Sequence, residues 1–177
     1  KGTTFVLVKD PSPRDALLEL IGAAAEDAVV ESAALRLVDS VPRGAAPDLD
    51  SADGQRMASG AWELVWSQQG PQVNPLQRSF SGLKGRNFQV VGGDGGNSVE
   101  NRVELLPGVR VRAQADGAVD GKDRLGVTIN AVNLELGPLK IPLGQGGQGF
   151  IDLLYVDDGL RVTRGSKGSL FVHVKTS

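Results

Sequence analysis

The chain's 177 residues fit one ordinary domain, and with 40% hydrophobic residues it can bury a core without disulfides or metals. A formal charge of −2 leaves no broad basic footprint of the kind that neutralising a phosphate backbone demands, so no nucleic-acid partner is expected. The absence of cysteine excludes thiolate nucleophiles, thiolate metal sites and disulfide frameworks, and no apolar run approaches the roughly 20 residues of a membrane-spanning helix, so any membrane contact is expected to be peripheral.

Lys1-Gly2-Thr3-Thr4-Phe5 opens without methionine or a signal-like apolar run, which predicts a processed or trimmed start. Ser12-Pro13-Arg14-Asp15 then places a hydroxyl at an N-cap, proline at the first helical position and a carboxylate three residues on, a pattern that starts a helix. Ala16, Leu17, Leu20, Ile21 and Ala24 recur at helical spacing. After a break near Asp27, Val30, Ala33, Ala34, Leu37, Val38 and Val41 do the same. Two short helices within residues 1–41 are predicted, to plug one end of the fold or to lie beside it. Residues 42–59 lack a sustained period and read as a loop; Asp48, Asp50 and Asp53 in it only faintly resemble a calcium loop, with Ser59 where a bidentate glutamate would stand.

From Gly60 to the C-terminus the period falls to two. Trp62, Leu64 and Trp66 are predicted to share a face, and apolar and polar residues alternate strictly from Val109 to Ala115. Leu125, Val127, Ile129 and Ala131 keep one phase and Val132, Leu134 and Leu136 the other, so a β-bulge is expected near Asn130. Glycine turns at Gly82, Gly92-Gly93, Gly95-Gly96, Gly117, Gly121 and Gly159 fit a curved sheet that closes on itself. The class is mostly β: an antiparallel barrel over residues 60–177 with a short helical N-terminal segment. Gly144-Gln145-Gly146-Gly147-Gln148-Gly149 formally satisfies G-x-G-x-x-G but precedes a strand, so it reads as a turn and no cofactor is expected. His173 is the only histidine, which leaves a zinc site or histidine-based triad little to stand on.

The most informative segment runs from Leu153 to Gly165. Asp158-Gly159 predicts a two-residue type I′ hairpin that sets Tyr155 opposite Val162 and Leu153 opposite Arg164. Tyr155, Asp157 and Arg164 then project from one face and Arg161 from the other. If the first face is interior, a phenol, a carboxylate and a guanidinium stand in an apolar barrel, either as an internal network that pins the hairpin or as groups that orient a ligand's head. Trp62, Leu64, Trp66, Val111 and Ile129 are the expected apolar lining, and Arg161 is expected to meet a membrane phosphate or a partner's acid.

The segment Tyr155-Val156-Asp157-Asp158-Gly159-Leu160-Arg161-Val162-Thr163-Arg164-Gly165, with Gly168-Ser169-Leu170-Phe171-Val172 after it and Gly149-Phe150-Ile151-Asp152 before, resembles the C-terminal signature of the plastid lipid-associated protein (fibrillin) family. Gly60-Ala61-Trp62-Glu63-Leu64-Val65-Trp66-Ser67 is similar to that family's Gly-x-Trp-x-Leu-x-Tyr-Ser/Thr, with Trp66 at the tyrosine position. The resemblance implies a lipocalin-like barrel of the chloroplast, at plastoglobules, thylakoids or in the stroma, that holds or delivers prenylquinones, carotenoids or fatty acids. A coat of plastid lipid bodies, or a scaffold for a plastid enzyme, with no internal ligand is the alternative. Catalysis, for instance proton transfer by Asp157 with Tyr155 and Arg164, has no nucleophile, metal or cofactor signature behind it, and a protein that is not an enzyme is expected.

Overall fold

The computed structural model describes residues 10–42, 47–70, 85–92 and 98–176. Expected turns at Gly82, Gly93, Gly95 and Gly96, the opening residues 1–9 and part of the 42–59 segment lie outside them. The helix predicted at Pro13 forms as α1, Pro13–Gly22. The Ser12 hydroxyl accepts the Asp15 N–H at 3.2 Å and donates to the Asp15 carboxylate at 2.7 Å. Ala24, at φ 52°, breaks the run before α2, Asp27–Asp39.

The 42–59 segment is not all loop. Ser51 caps a third helix, α3 (Ala52–Ala58), by accepting the Gly54 N–H at 3.0 Å. The helix was hidden in the sequence because seven residues are too few to show a period. Leu49 and Ala58 are buried against Leu153, with Leu125 and Ile151 beside them, so this segment covers one end of the sheet.

Nine strands follow: β1 Gly60–Gln68, β2 Arg86–Val91, β3 Ser98–Leu106, β4 Val109–Val119, β5 Arg124–Leu136, β6 Leu139–Gly144, β7 Gln148–Val156, β8 Leu160–Gly165 and β9 Leu170–Lys175. All pairings are antiparallel, in the order β4-β3-β2-β1-β9-β8-β7-β5-β6. β4 also pairs with the length of β5, which closes the sheet in a ring from which the β5–β6 hairpin projects. Gln114 faces Ala131 and Ala115 faces Ile129, so Asn130 is the extra residue whose phase shift the sequence displays. Gly117, expected in a turn, instead pairs with Val127 inside β4. The turn between β6 and β7 does use glycine, with Gly146 at φ 81° and Gly147 at φ 131°.

Helices α1 and α2 lie beside the ring. Leu17, Val30, Ala33, Ala34 and Leu37 are buried against Leu160, Val162, Leu170 and Val172, the outward residues of β8 and β9. The outer surface of β3 to β5 carries charge instead: Glu135, 2% exposed, pairs with Arg110, and Glu100 pairs with Arg112. Two different outer coverings thus leave the ring's inner face as the place where apolar side chains meet one another.

Candidate functional site

The β7–β8 hairpin closes by a different device from the one its Asp-Gly suggests. Neither Asp158 nor Gly159 takes a positive φ. The Asp157 carboxylate instead folds over the turn and accepts the backbone N–H of Gly159 at 2.8 Å and of Leu160 at 2.6 Å. Its second oxygen accepts the Tyr155 hydroxyl at 2.8 Å and Arg14 Nε of α1 at 2.9 Å. The expected pairing of Tyr155 with Val162 is present, but Leu154 bulges, so Arg164 pairs with Asp152 and not with Leu153.

The sidedness is the reverse of the expectation. Val162, opposite Tyr155, is buried beneath the helices, which makes the face of Tyr155 and Asp157 the outer one. Arg164 on that face is exposed. Arg161 alternates with Val162 and therefore points inward, where it is 2% exposed. Period two tells which residues share a face but not which face is inside, and the apolar residues Leu160 and Val162 serve a helix-facing surface as well as an inner one.

Within the ring is a cavity of about 470 Å³. Leu64, Val111 and Ile129 line it as expected, together with Val103, Val127 and Val132. Trp62 points inward too but is fully buried, with its Nε1 donating to the Ala58 carbonyl at 3.0 Å, so it belongs to the floor beneath the α3 segment. Trp66 does not line the cavity. Leu64 pairs with His173 and Trp66 with Val172, so an extra residue at Val65 turns Trp66 outward, where its Nε1 donates to Asp27 of α2 at 3.0 Å.

The floor carries polar groups that alternation alone did not reveal. Arg161 lies over the Trp62 ring at 4.7 Å and donates to Gln89 Oε1. Gln89 in turn donates to Asn101 Oδ1 at 2.9 Å. His173 stands opposite Arg161 and faces the cavity. Arg161 Nε and His173 Nδ1 are buried with no hydrogen-bond partner among the described residues. Asn87, Gln89 and Asn101 escaped notice because polar residues at alternate positions read as the wet face of a strand. The pairing of Gln89 with Trp62, of Asn101 with Gln89 and of Asn87 with Val103 is the signal that places them inside.

Electrostatics separate the two groups of residues. Burial, followed by the hydrogen bond to Asp157 and then its charge, pushes the Tyr155 hydroxyl up to about 12, so it remains a donor. Burial alone would raise the Asp157 carboxyl; the Gly159 N–H, the Tyr155 hydroxyl, the Leu160 N–H and the Arg14 charge outweigh it and hold the group below the usual carboxylate range. Inside, burial brings Arg161 down to about 9 with no acid to offset it. Burial first, and the Arg161 charge second, hold His173 neutral well below its ordinary 6.5.

This arrangement has a hydrogen-bonded hairpin network outside and an apolar cavity within. The family model described as PAP_fibrillin matches residues 21–174, which takes in α2, α3 and all of the ring but its last residue. The chain belongs to the PAP/fibrillin family. This fibrillin chain is 26% identical over 176 residues to a probable plastid-lipid-associated protein 12, chloroplastic, of Arabidopsis thaliana. The alignment takes in 99% of the chain and 40% of that relative, so the chain spans less than half of the relative's length. No solved structure matches.

Proposed function

We propose that this fibrillin domain holds an apolar small molecule, such as a prenylquinone, a carotenoid or a fatty acid, inside the ring and keeps it at plastid lipid surfaces. The observation that carries the reading is the cavity of about 470 Å³ with its aliphatic wall. That volume falls within the roughly 300–1,000 Å³ of small-molecule sites, and each Å² of apolar ligand surface removed from water contributes about 25 cal/mol. Leu64, Val111 and Ile129 would contact the tail, and Trp62 would close the floor. Tyr155 and Asp157 would act on the site indirectly, by fixing the hairpin that carries Arg161. The chloroplast location of the Arabidopsis relative supports a plastid setting. The arrangement is read as a binding site: an aliphatic wall over a floor that carries an amide pair, a neutral imidazole and a guanidinium.

Mass spectrometry of lipids co-purified with the protein from plastids tests the reading. One apolar species at near-equimolar ratio is expected, and its disappearance when Val111 and Ile129 are replaced by Trp would place it in the cavity. Protein that comes through native isolation with no such species would sink the carrier role.

A second reading has its own observation. Leu106, Leu139, Ile141 and Leu143 are 38–69% exposed, and Leu139 pairs with Leu136 on the projecting β5–β6 hairpin. Such a patch favours a coat of lipid bodies or a seat for a plastid enzyme. Serine at Leu139, Ile141 and Leu143 would then abolish flotation with lipid droplets while co-purified lipid stays in place.

A further inference from the structure

The cavity floor holds a buried cation with no acid against it. Arg161 is 2% exposed, its described contacts are the Trp62 ring and the Gln89 carbonyl oxygen, and its Nε is without a hydrogen-bond partner. A second cation, Lys175, lies 5.0 Å from the same ring, which adds to the positive field instead of cancelling it. No Asp or Glu stands among the described residues that line the cavity. Burying an ion without a partner of opposite charge is among the more destabilising things a fold can do, and other arginines here avoid it: Arg14, Arg110 and Arg124 each meet a carboxylate.

The hydrogen-bond directions carry that charge toward the cavity. Arg161 donates to Gln89, and Gln89 donates to Asn101, so the Asn101 amide is left with its N–H groups to offer where it lines the cavity. His173, held neutral, also lines the cavity, with Nδ1 unpartnered among the described residues. A chain of donors backed by a guanidinium is complementary to an acceptor that bears negative charge.

We infer that the cavity takes an amphiphile whose head is a single carboxylate, a long-chain monocarboxylate, seated against Asn101 and His173 with Arg161 as its counter-ion. A carboxylate presents acceptor oxygens to these donors, and the aliphatic wall takes the chain behind it. The inference rests on the carrier reading and narrows its ligand class away from neutral quinones and carotenoids.

Competition against a neutral apolar dye, Nile red, tests it on the purified chain with palmitate and hexadecanol as the two probes. Palmitate is expected to displace the dye at a concentration about ten-fold lower than hexadecanol does, as a charge-assisted head contact implies. Arg161→Met is expected to bind hexadecanol as before and to lose the preference for the acid. Removal of an uncompensated buried charge in favour of an apolar side chain of similar length is compatible with folding. Should circular dichroism show that variant unfolded, Asn101→Leu makes the same comparison, with the preference expected to fall several-fold. Equal displacement by acid and alcohol in the unaltered protein, or a preference that survives both substitutions, overturns the inference and leaves the carrier role standing. Displacement by neither probe overturns both.

Discussion

The two faces of strand β8 differ in how completely their polar groups are satisfied. On the outer face, Asp157 at the adjoining turn has four partners: two backbone N–H groups, a phenol and a guanidinium from α1. On the inner face, Arg161 and His173 each keep a buried nitrogen unpaired among the described residues. A satisfied network stabilises and orients its own segment and has nothing left to offer a ligand. An unsatisfied one retains unmet hydrogen-bonding capacity that a ligand can fill, so Asp157 and Arg161, four positions apart on one hairpin, serve different ends.

The contrast can be broken in several ways. The largest effect is expected from Trp62→Ala, which removes the floor on which Arg161 and Lys175 lie. A loss of about 3–5 kcal/mol in urea unfolding is expected for so large a buried ring. A loss under 1 kcal/mol would mean that the floor is not packed as described. Next comes Asp157→Ala on the outer face, expected to cost about 1–3 kcal/mol by stranding two turn N–H groups and Tyr155. Lipid retention at a temperature where the variant remains folded should be unchanged; lost retention would erase the distinction between the faces.

The pH dependence sharpens the comparison. Burial keeps His173 neutral in the folded state, whereas the unfolded chain takes up that proton near 6.5. The contribution is therefore intact above about pH 6.5 and lost as pH falls below it, by about 1 kcal/mol between pH 6.5 and 5.5. His173→Gln should flatten that part of the stability profile. Asp157, with its carboxyl held low, acts only further down: its stabilisation is present above the ordinary 3.8 and is lost as pH falls through the depressed value. The smallest effect is expected at exposed Arg164, where Arg164→Leu should change melting stability by less than about 0.5 kcal/mol and leave lipid retention intact. A sharp change in either would return Arg164 to the site.

Much of the fold was readable from local rules. The Ser12 cap, the break between the first two helices, the alternation of β4 and the extra residue at Asn130 all follow from neighbours in the chain. The candidate lining was readable in part: Leu64, Val111 and Ile129 face the cavity, but Trp66 does not, because one bulged residue at Val65 reverses every side chain beyond it. Alternation singles out Arg161 but not the enclosed side on which it stands.

The reason is a symmetry of the strand. The chain by itself determined which side chains stand together, since alternation is a property of the backbone and the hairpin is drawn shut by a carboxylate only two or three residues from its partners. It could not say which of the two faces would be enclosed. Only the docking of α1 and α2 against Leu160, Val162, Leu170 and Val172 decided that, because burying the helices' apolar stripe claims one face and leaves the other, with its uncompensated guanidinium, to close on itself.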